Sequence, residues 1–135
     1  MELRYPIVAG KRKTAVAKVK ITSGKGNVFF NHLPYSELSL FHRLALIEPL
    51  RIYEKEMGDI KNDFHITTTG GGKESQIEAS RVALARALLH ISGSETLRKI
   101  YIKYDRNMVV QDSRRKETRK PGDSKARAKR QKSYR

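Results

Sequence analysis

The stretch Gly70-Gly71-Gly72-Lys73 comes nearest to phosphate chemistry by residue type. A nucleotide-hydrolysing phosphate loop needs a glycine, four residues, then Gly-Lys-Ser/Thr. Here Thr67 stands at the place of the first glycine and Glu74 follows the lysine, so the magnesium-binding hydroxyl is missing. Two milder readings stay open. Glycines ahead of a helix expose N–H groups, and with Lys73 beside them the loop could take an RNA phosphate. Equally, the glycines could serve only a close strand-to-helix turn. Gly24 and Gly26 read as a turn, because a dinucleotide fingerprint needs a third glycine and a following helix.

Little else is arranged for catalysis. The four histidines, His32, His42, His65 and His90, show no metal-ligand spacing, and there is no cysteine to help them. Each therefore takes a structural or surface role by default. Glu37, Glu48, Glu54, Glu56 and Asp59 lie in polar or connecting stretches, where solvated charges and local ion pairs are expected. We expect no enzyme, no cofactor and no metal.

Cations are another matter. Lys and Arg total 29 against 14 Asp and Glu, a formal net charge of +15. Such an excess repels itself, and a polyanion relieves it. Asp112 to Arg135 holds eleven Lys/Arg against three Asp/Glu, a net of +8. Its only aliphatic or aromatic residues are Ala126, Ala128 and Tyr134. Alone in water it cannot bury enough apolar surface to offset its ordering entropy. Extended, these residues could reach roughly 80 Å, which suits penetration of a large folded RNA. A second cluster, Lys11, Arg12 and Lys13, sits before the first clear strand and reads as a loop touching phosphate.

Other partners fit less well. A membrane surface needs cations paired with large apolar residues on one helix, which the tail lacks. No apolar run approaches the ~20 residues that span a bilayer, and the N-terminus has no secretory pattern. Without cysteine the chain suits a reducing cytosol. An RNA-processing enzyme would need a convergent acid/base site. A duplex-DNA reader would need a helix presenting side chains to a groove.

The elements that must hold these residues follow from periodicity. TAVAKVKIT (14–22) alternates as a half-buried strand, with Ala15, Ala17, Val19 and Ile21 on one face and Lys18 and Lys20 on the other. NVFFN (27–31) reads as its hairpin partner across the glycine turn. Ser36 is a candidate cap for a short helix, and HRLALIEPL (42–50) has helical spacing that Pro49 is expected to interrupt. RIYEKEMGDIKND (51–63) reads as a mixed-charge connection. FHITTT (64–69) reads as a buried strand with Phe64, Ile66 and Thr68 on one face. KESQIEASRVALARALLHIS (73–92) is the best helix, with Ile77, Leu84, Leu88 and Ile91 in one stripe and Gly93 as its stop. Ser94 caps a further helix bearing Leu97, Ile100, Tyr101 and Tyr104. The expected fold is α/β, one sheet with helices on a face. It divides into a globular body, residues 1–111, and a basic tail, residues 112–135. No internal repeat and no homo-oligomer are expected.

GKRKTAVAKVKI, GKGNVFFN, EPL, TTTGGGKESQIEASRVALARALL and DSRRKETRKPGDSKARAKRQKSYR occur in that order. Together they resemble the ninth small-subunit ribosomal protein family in its archaeal and eukaryotic branch. The resemblance covers nearly the whole chain; the glycine block and the tail are its specific parts. It implies a two-layer α/β (α+β) sandwich of about four strands with packed helices. It also implies a left-handed β-α-β crossover, an exception to the usual hand. It implies a structural role in the head of the small subunit, in the cytoplasm. There the family binds the 3′ major domain of the ribosomal RNA beside other head proteins. Carried over, Arg135 would contact the anticodon stem-loop of peptidyl-site transfer RNA, with Lys132, Ser133 and Tyr134 nearby. Lys125, Arg127, Lys129 and Arg130 would line the path through ribosomal RNA. Arg114, Arg115, Lys116, Arg119 and Lys120 would anchor the root of the tail. The bacterial branch typically ends Ser-Lys-Arg, so contacts of that lysine do not transfer to Tyr134, whose ring can stack or hydrogen-bond instead.

Overall fold

The computed structural model describes residues 7–122 and 125–135. The first six residues, and Asp123-Ser124 within the tail, lie outside the described residues. Val8–Arg12 forms β1 and Ala15–Ser23 forms β2, an antiparallel pair joined at Lys13-Thr14. The cluster expected to form a loop, Gly10 to Lys13, is therefore strand up to Arg12. Of that cluster only Lys13 lies in the turn, which it shares with Thr14, and its φ is positive at 52°. In β2 the alternation holds as read: Ala15, Ala17, Val19 and Ile21 are buried, Lys18 and Lys20 exposed.

The hairpin reading of NVFFN fails. Val28–Phe30 (β3) pairs antiparallel with Leu33–Pro34 (β4) and parallel with Asn62–Thr69 (β5). β5 in turn lies antiparallel beside β2, so the sheet order is β1-β2-β5-β3-β4. The chain leaves β2, skips one strand position, and fills the gap later. Backbone bonds tie the turn before β3 to this later segment, the Gly24 N–H to the Lys61 carbonyl at 3.1 Å and the Phe64 N–H to the Asn27 carbonyl at 2.8 Å, and Asp63 reinforces them. Its carboxylate accepts the N–H groups of Lys25 and Asn27, both at 2.8 Å, so the glycine segment is tied to β5. Gly24 is needed there because a Cβ would fall 2.0 Å from that carboxylate carbon.

Leu40–Met57 forms α1 and runs straight through Pro49. The expected interruption and the mixed-charge connection are both corrected: helix continues to within a few residues of β5. Proline inside a helix forfeits one N–H bond and costs ~3 kcal/mol in an exposed helix. Here Leu46, Pro49, Leu50 and Tyr53 are buried, and the Tyr101 hydroxyl donates to the Pro49 carbonyl at 2.7 Å. Packing overrides local propensity. Ser36 caps nothing; it sits inside a 3₁₀ turn over Tyr35–Glu37, and Ser39 precedes α1.

Lys73–Ser92 (α2) and Glu95–Tyr104 (α3) are as expected, with Gly93 left-handed at the end of α2. The Ser94 hydroxyl accepts from the N–H of Leu97 at 3.4 Å. The buried face of α2 is wider than the stripe read from sequence. It includes Ala79, Ala83, Ala85 and Ala87, and small residues let the helix lie close on the sheet. All three helices share one core with the inward residues of β2, β3 and β5. Among the described residues the architecture is a two-layer α+β fold of five strands and three helices, and β3-α1-β5 is the parallel crossover. Among the described residues, no helix is long and apolar enough to cross a membrane.

Candidate nucleic-acid interface

Two cation clusters about a hundred residues apart in sequence meet in space. After α3 a 3₁₀ turn, Arg106–Met108, carries buried Met108 and Val109 back against the core. That brings Asp112 to the end of β1, where its carboxylate accepts from Arg12. Arg12 also donates to Glu78 of α2. Asp112 further accepts the Arg114 guanidinium at 2.7–3.1 Å and the Arg114 N–H at 2.9 Å. The Arg114 side-chain bonds, the Arg114 N–H and Arg12 together hold the Asp112 carboxyl well below the usual carboxylate range. The root of the tail is thereby fixed beside the β1–β2 turn. A depression of about 510 Å³ lies between them, lined by Arg12, Lys13, Thr14, Arg114, Arg115 and Lys116.

Of the cations singled out by sequence, Lys11 and Lys13 are exposed, whereas Arg12 is committed to its two carboxylates and only 19 % exposed. Lys73 is exposed at the first position of α2. Two of the glycines before it have a steric role of their own. A Cβ on Gly70 would meet the Thr14 carbonyl at 2.7 Å, and one on Gly71 would meet Ala15 at 2.8 Å. Both also have positive φ. These two glycines serve a close turn against β2, and Gln76 closes it by donating to the Gly70 carbonyl at 3.0 Å. Gly72 has neither constraint: its surroundings are open.

The tail carries no helix or strand among its described residues. Arg115, Lys116, Arg119, Lys120, Lys125, Lys129 and Arg130 are exposed, as are Lys132, Ser133, Tyr134 and Arg135. Arg127 forks onto Glu117 at 2.6–3.2 Å, across the Pro121-Gly122 bend. So exposed a pair is screened by solvent and yields easily to phosphate. Deeper in the body, Arg81 joins Glu48 of α1 at 2.6 Å to Asp105 at 2.8 Å.

These carboxylates predict an acid-labile body. Asp63 is held low by the Asn27 N–H and then by Lys25 and the Asn27 side chain, against the opposing effect of burial. Burial pushes Asp105 up, but Arg81 and the Asn107 N–H outweigh it and its pKa is lowered. A carboxyl lowered on folding stabilises the fold fully above its ordinary value of 3.8 and loses that contribution as pH falls below it. The urea midpoint is therefore expected to stay flat above pH ~5 and fall steeply towards pH ~2–3. In Asp63→Ala that fall should be shallower and the neutral-pH midpoint lower.

Sequence reasoning missed the Asp112 clamp, since nothing local marks a partner at Arg12. It also missed the pairing of the Phe29 and His65 rings, which stack on the outer sheet face with centroids 4.9 Å apart.

Comparison with known proteins shows the family. Residues 10–135 match the family model described as ribosomal protein S9/S16. The chain is 43% identical over 135 residues to the small ribosomal subunit protein uS9 of Saccharolobus solfataricus, covering 99% of this chain and 98% of that protein. It is 38% identical over 128 residues to the protein of the same name from Methanothrix thermoacetophila, covering 94% and 96%. With nearly end-to-end similarity that includes the basic tail, this chain belongs to the ribosomal protein S9/S16 family.

Proposed function

We propose that this chain, a structural protein of the small ribosomal subunit and not an enzyme, docks its body on ribosomal RNA and threads its tail through that RNA to peptidyl-site transfer RNA. The single observation that supports it best is the shared depression of Lys13, Arg114, Arg115 and Lys116. Cations from the β1–β2 turn and from the start of the tail converge there, and the nearby Asp112 carboxylate is already engaged by Arg12 and Arg114, which leaves the charge of Lys13, Arg115 and Lys116 in excess. Like charges so close repel unless an anion lies between, and phosphate supplies it.

In this reading residues 1–111 are the body and 112–135 the tail. Lys11, Lys13 and Lys73 meet phosphates from the body, while Arg12 fixes the root of the tail through Asp112. Arg114, Arg115, Lys116, Arg119 and Lys120 anchor the root. Lys125, Arg127, Lys129 and Arg130 line the path beyond. The neighbours are the 3′ major domain of the small-subunit ribosomal RNA and the other proteins of the subunit head, on cytoplasmic ribosomes. Ordering the tail costs entropy, which release of counterions from RNA offsets. At its end Arg135, with Lys132, Ser133 and Tyr134, meets the backbone of the anticodon stem-loop. Phosphate contacts carry no sequence information, so one tail end serves many transfer RNAs.

Removing Ser133, Tyr134 and Arg135 tests the last step. The shortened protein should still enter small subunits and co-sediment with them through moderate salt. Peptidyl-site transfer RNA should bind those subunits about three- to tenfold more weakly, as loss of one charge-assisted fork implies, with more frameshifting. Unchanged affinity and unchanged frame maintenance would remove the transfer-RNA role and leave the ribosomal-RNA role standing.

A further inference from the structure

Resting on the reading that the chain binds ribosomal RNA, we propose a second RNA surface on the helix-free face of the sheet. It takes an unpaired base on the Phe29–His65 ring pair and the adjoining phosphates on Lys18 and Lys20. The register builds this surface. Lys20 lies opposite His65 across β2 and β5, and His65 lies opposite Phe29 across β5 and β3. Three strands thus carry one transverse row: cation, ring, ring. Lys18 opposite Thr67 forms the next row, about 7 Å along the strand. The two rings are parallel to within 8°. With His32 at their margin they border a shallow depression of about 470 Å³.

Charge and composition choose the occupant. Among the described residues, neither lysine has a carboxylate partner. The acid that shares this side of β5, Asp63, is engaged by the turn at Lys25 and Asn27. Unpaired RNA bases stack on aromatic rings while nearby cations hold their phosphates. A duplex offers no free base face to such a platform. Protein interfaces deplete lysine at their centres, where this face carries two. The sheet itself supplies a rigid frame, since the opposite side of the same strands is the core: Val19, Ile21, Phe64 and Ile66 are all 2 % exposed or less. His65 and the lysines are exposed, so changing them leaves that core intact.

The test uses the full chain and two probes: a single-stranded oligouridylate of about twelve nucleotides bearing 5-iodouridine, and a blunt RNA duplex. Irradiation should place adducts on the β3 or β5 peptide holding Phe29 or His65. His65→Ala should weaken single-strand binding about tenfold while changing duplex binding less than about twofold. Lys18→Gln with Lys20→Gln should lower the salt slope of single-strand binding by about 1.4. Adducts confined to the tail, with His65→Ala unchanged, would overturn the sheet-face proposal and leave the tail's RNA binding intact. Cross-links from this face to a neighbouring protein rather than to RNA in assembled subunits would overturn it as well. Failure of the ribosomal-RNA reading itself looks different: tail charge removal would then also leave RNA affinity unchanged.

Discussion

Gly10→Ala is expected to cost the body about 3 kcal/mol or more of folding free energy, a large share of the ~5–15 kcal/mol that a domain possesses. The reason is contact between backbones. A Cβ at Gly10 would lie 2.4 Å from the Ala79 carbonyl oxygen and 2.6 Å from the Ala83 nitrogen, both in the middle of α2. Neither atom belongs to a side chain that could rotate away. Relief would require α2 to lift from β1, opening the alanine-lined contact that also covers Ala15 and Ala17 of β2. Gly72→Ala is the matched control. Gly72 has φ −97° and open surroundings, so alanine there should shift stability by no more than about 1 kcal/mol, the worth of a helix cap. Urea unfolding of the two variants separates the cases. A Gly10→Ala midpoint within error of that for Gly72→Ala would mean β1 and α2 are not packed backbone to backbone.

That contact also marks what sequence can and cannot disclose. Gly10 sits among Lys11, Arg12 and Lys13, and the cations drew attention to phosphate while the glycine's use lay on α2, some seventy residues away. Alternation in β2 and β5 was legible because each strand buries one face, and period two survives whatever the neighbours are. Strand order was not. The turn at Gly24 to Asn27 has hairpin composition, but its bonds run to a later segment, through the Asp63 carboxylate and through the backbone of Lys61 and Phe64. Pro49 misled in the opposite direction. Local propensity argues for a stop there, but Leu46, Leu50 and Tyr53 continue the buried stripe, and Tyr101 holds the Pro49 carbonyl from another helix. The candidate RNA contacts divide in the same way. A charged tail of low apolar content is visible in composition alone. Its meeting with the β1–β2 turn depends on Arg12 and Asp112, whose pairing no spacing rule announces.

Replacing Lys125, Arg127, Lys129 and Arg130 together by glutamine is expected to lower affinity for small-subunit ribosomal RNA by about a thousandfold near 0.15 M salt. Each phosphate contact contributes about 0.9 to the slope of log affinity against log salt, so four should remove roughly 3 to 4 from it. Folding should be unaffected, because these side chains are exposed and the core ends at Val109. Changing Arg127 and Arg130 to lysine separates two origins of the effect. If the tail acts as diffuse charge, lysine restores both affinity and slope. If the guanidinium forks grip phosphates in fixed geometry, the slope returns but part of the affinity stays lost, since a lysine offers a point charge without the planar fork. The fork that Arg127 already makes on Glu117 favours the second outcome. The same planar geometry that fits a carboxylate fits a phosphate, and the RNA need only displace an exposed partner that holds it weakly. Glu117→Gln should then strengthen RNA binding slightly by freeing that fork in advance. An affinity that falls no further than salt screening of a single charge, in the glutamine variant, would show that the distal tail does not lie among phosphates.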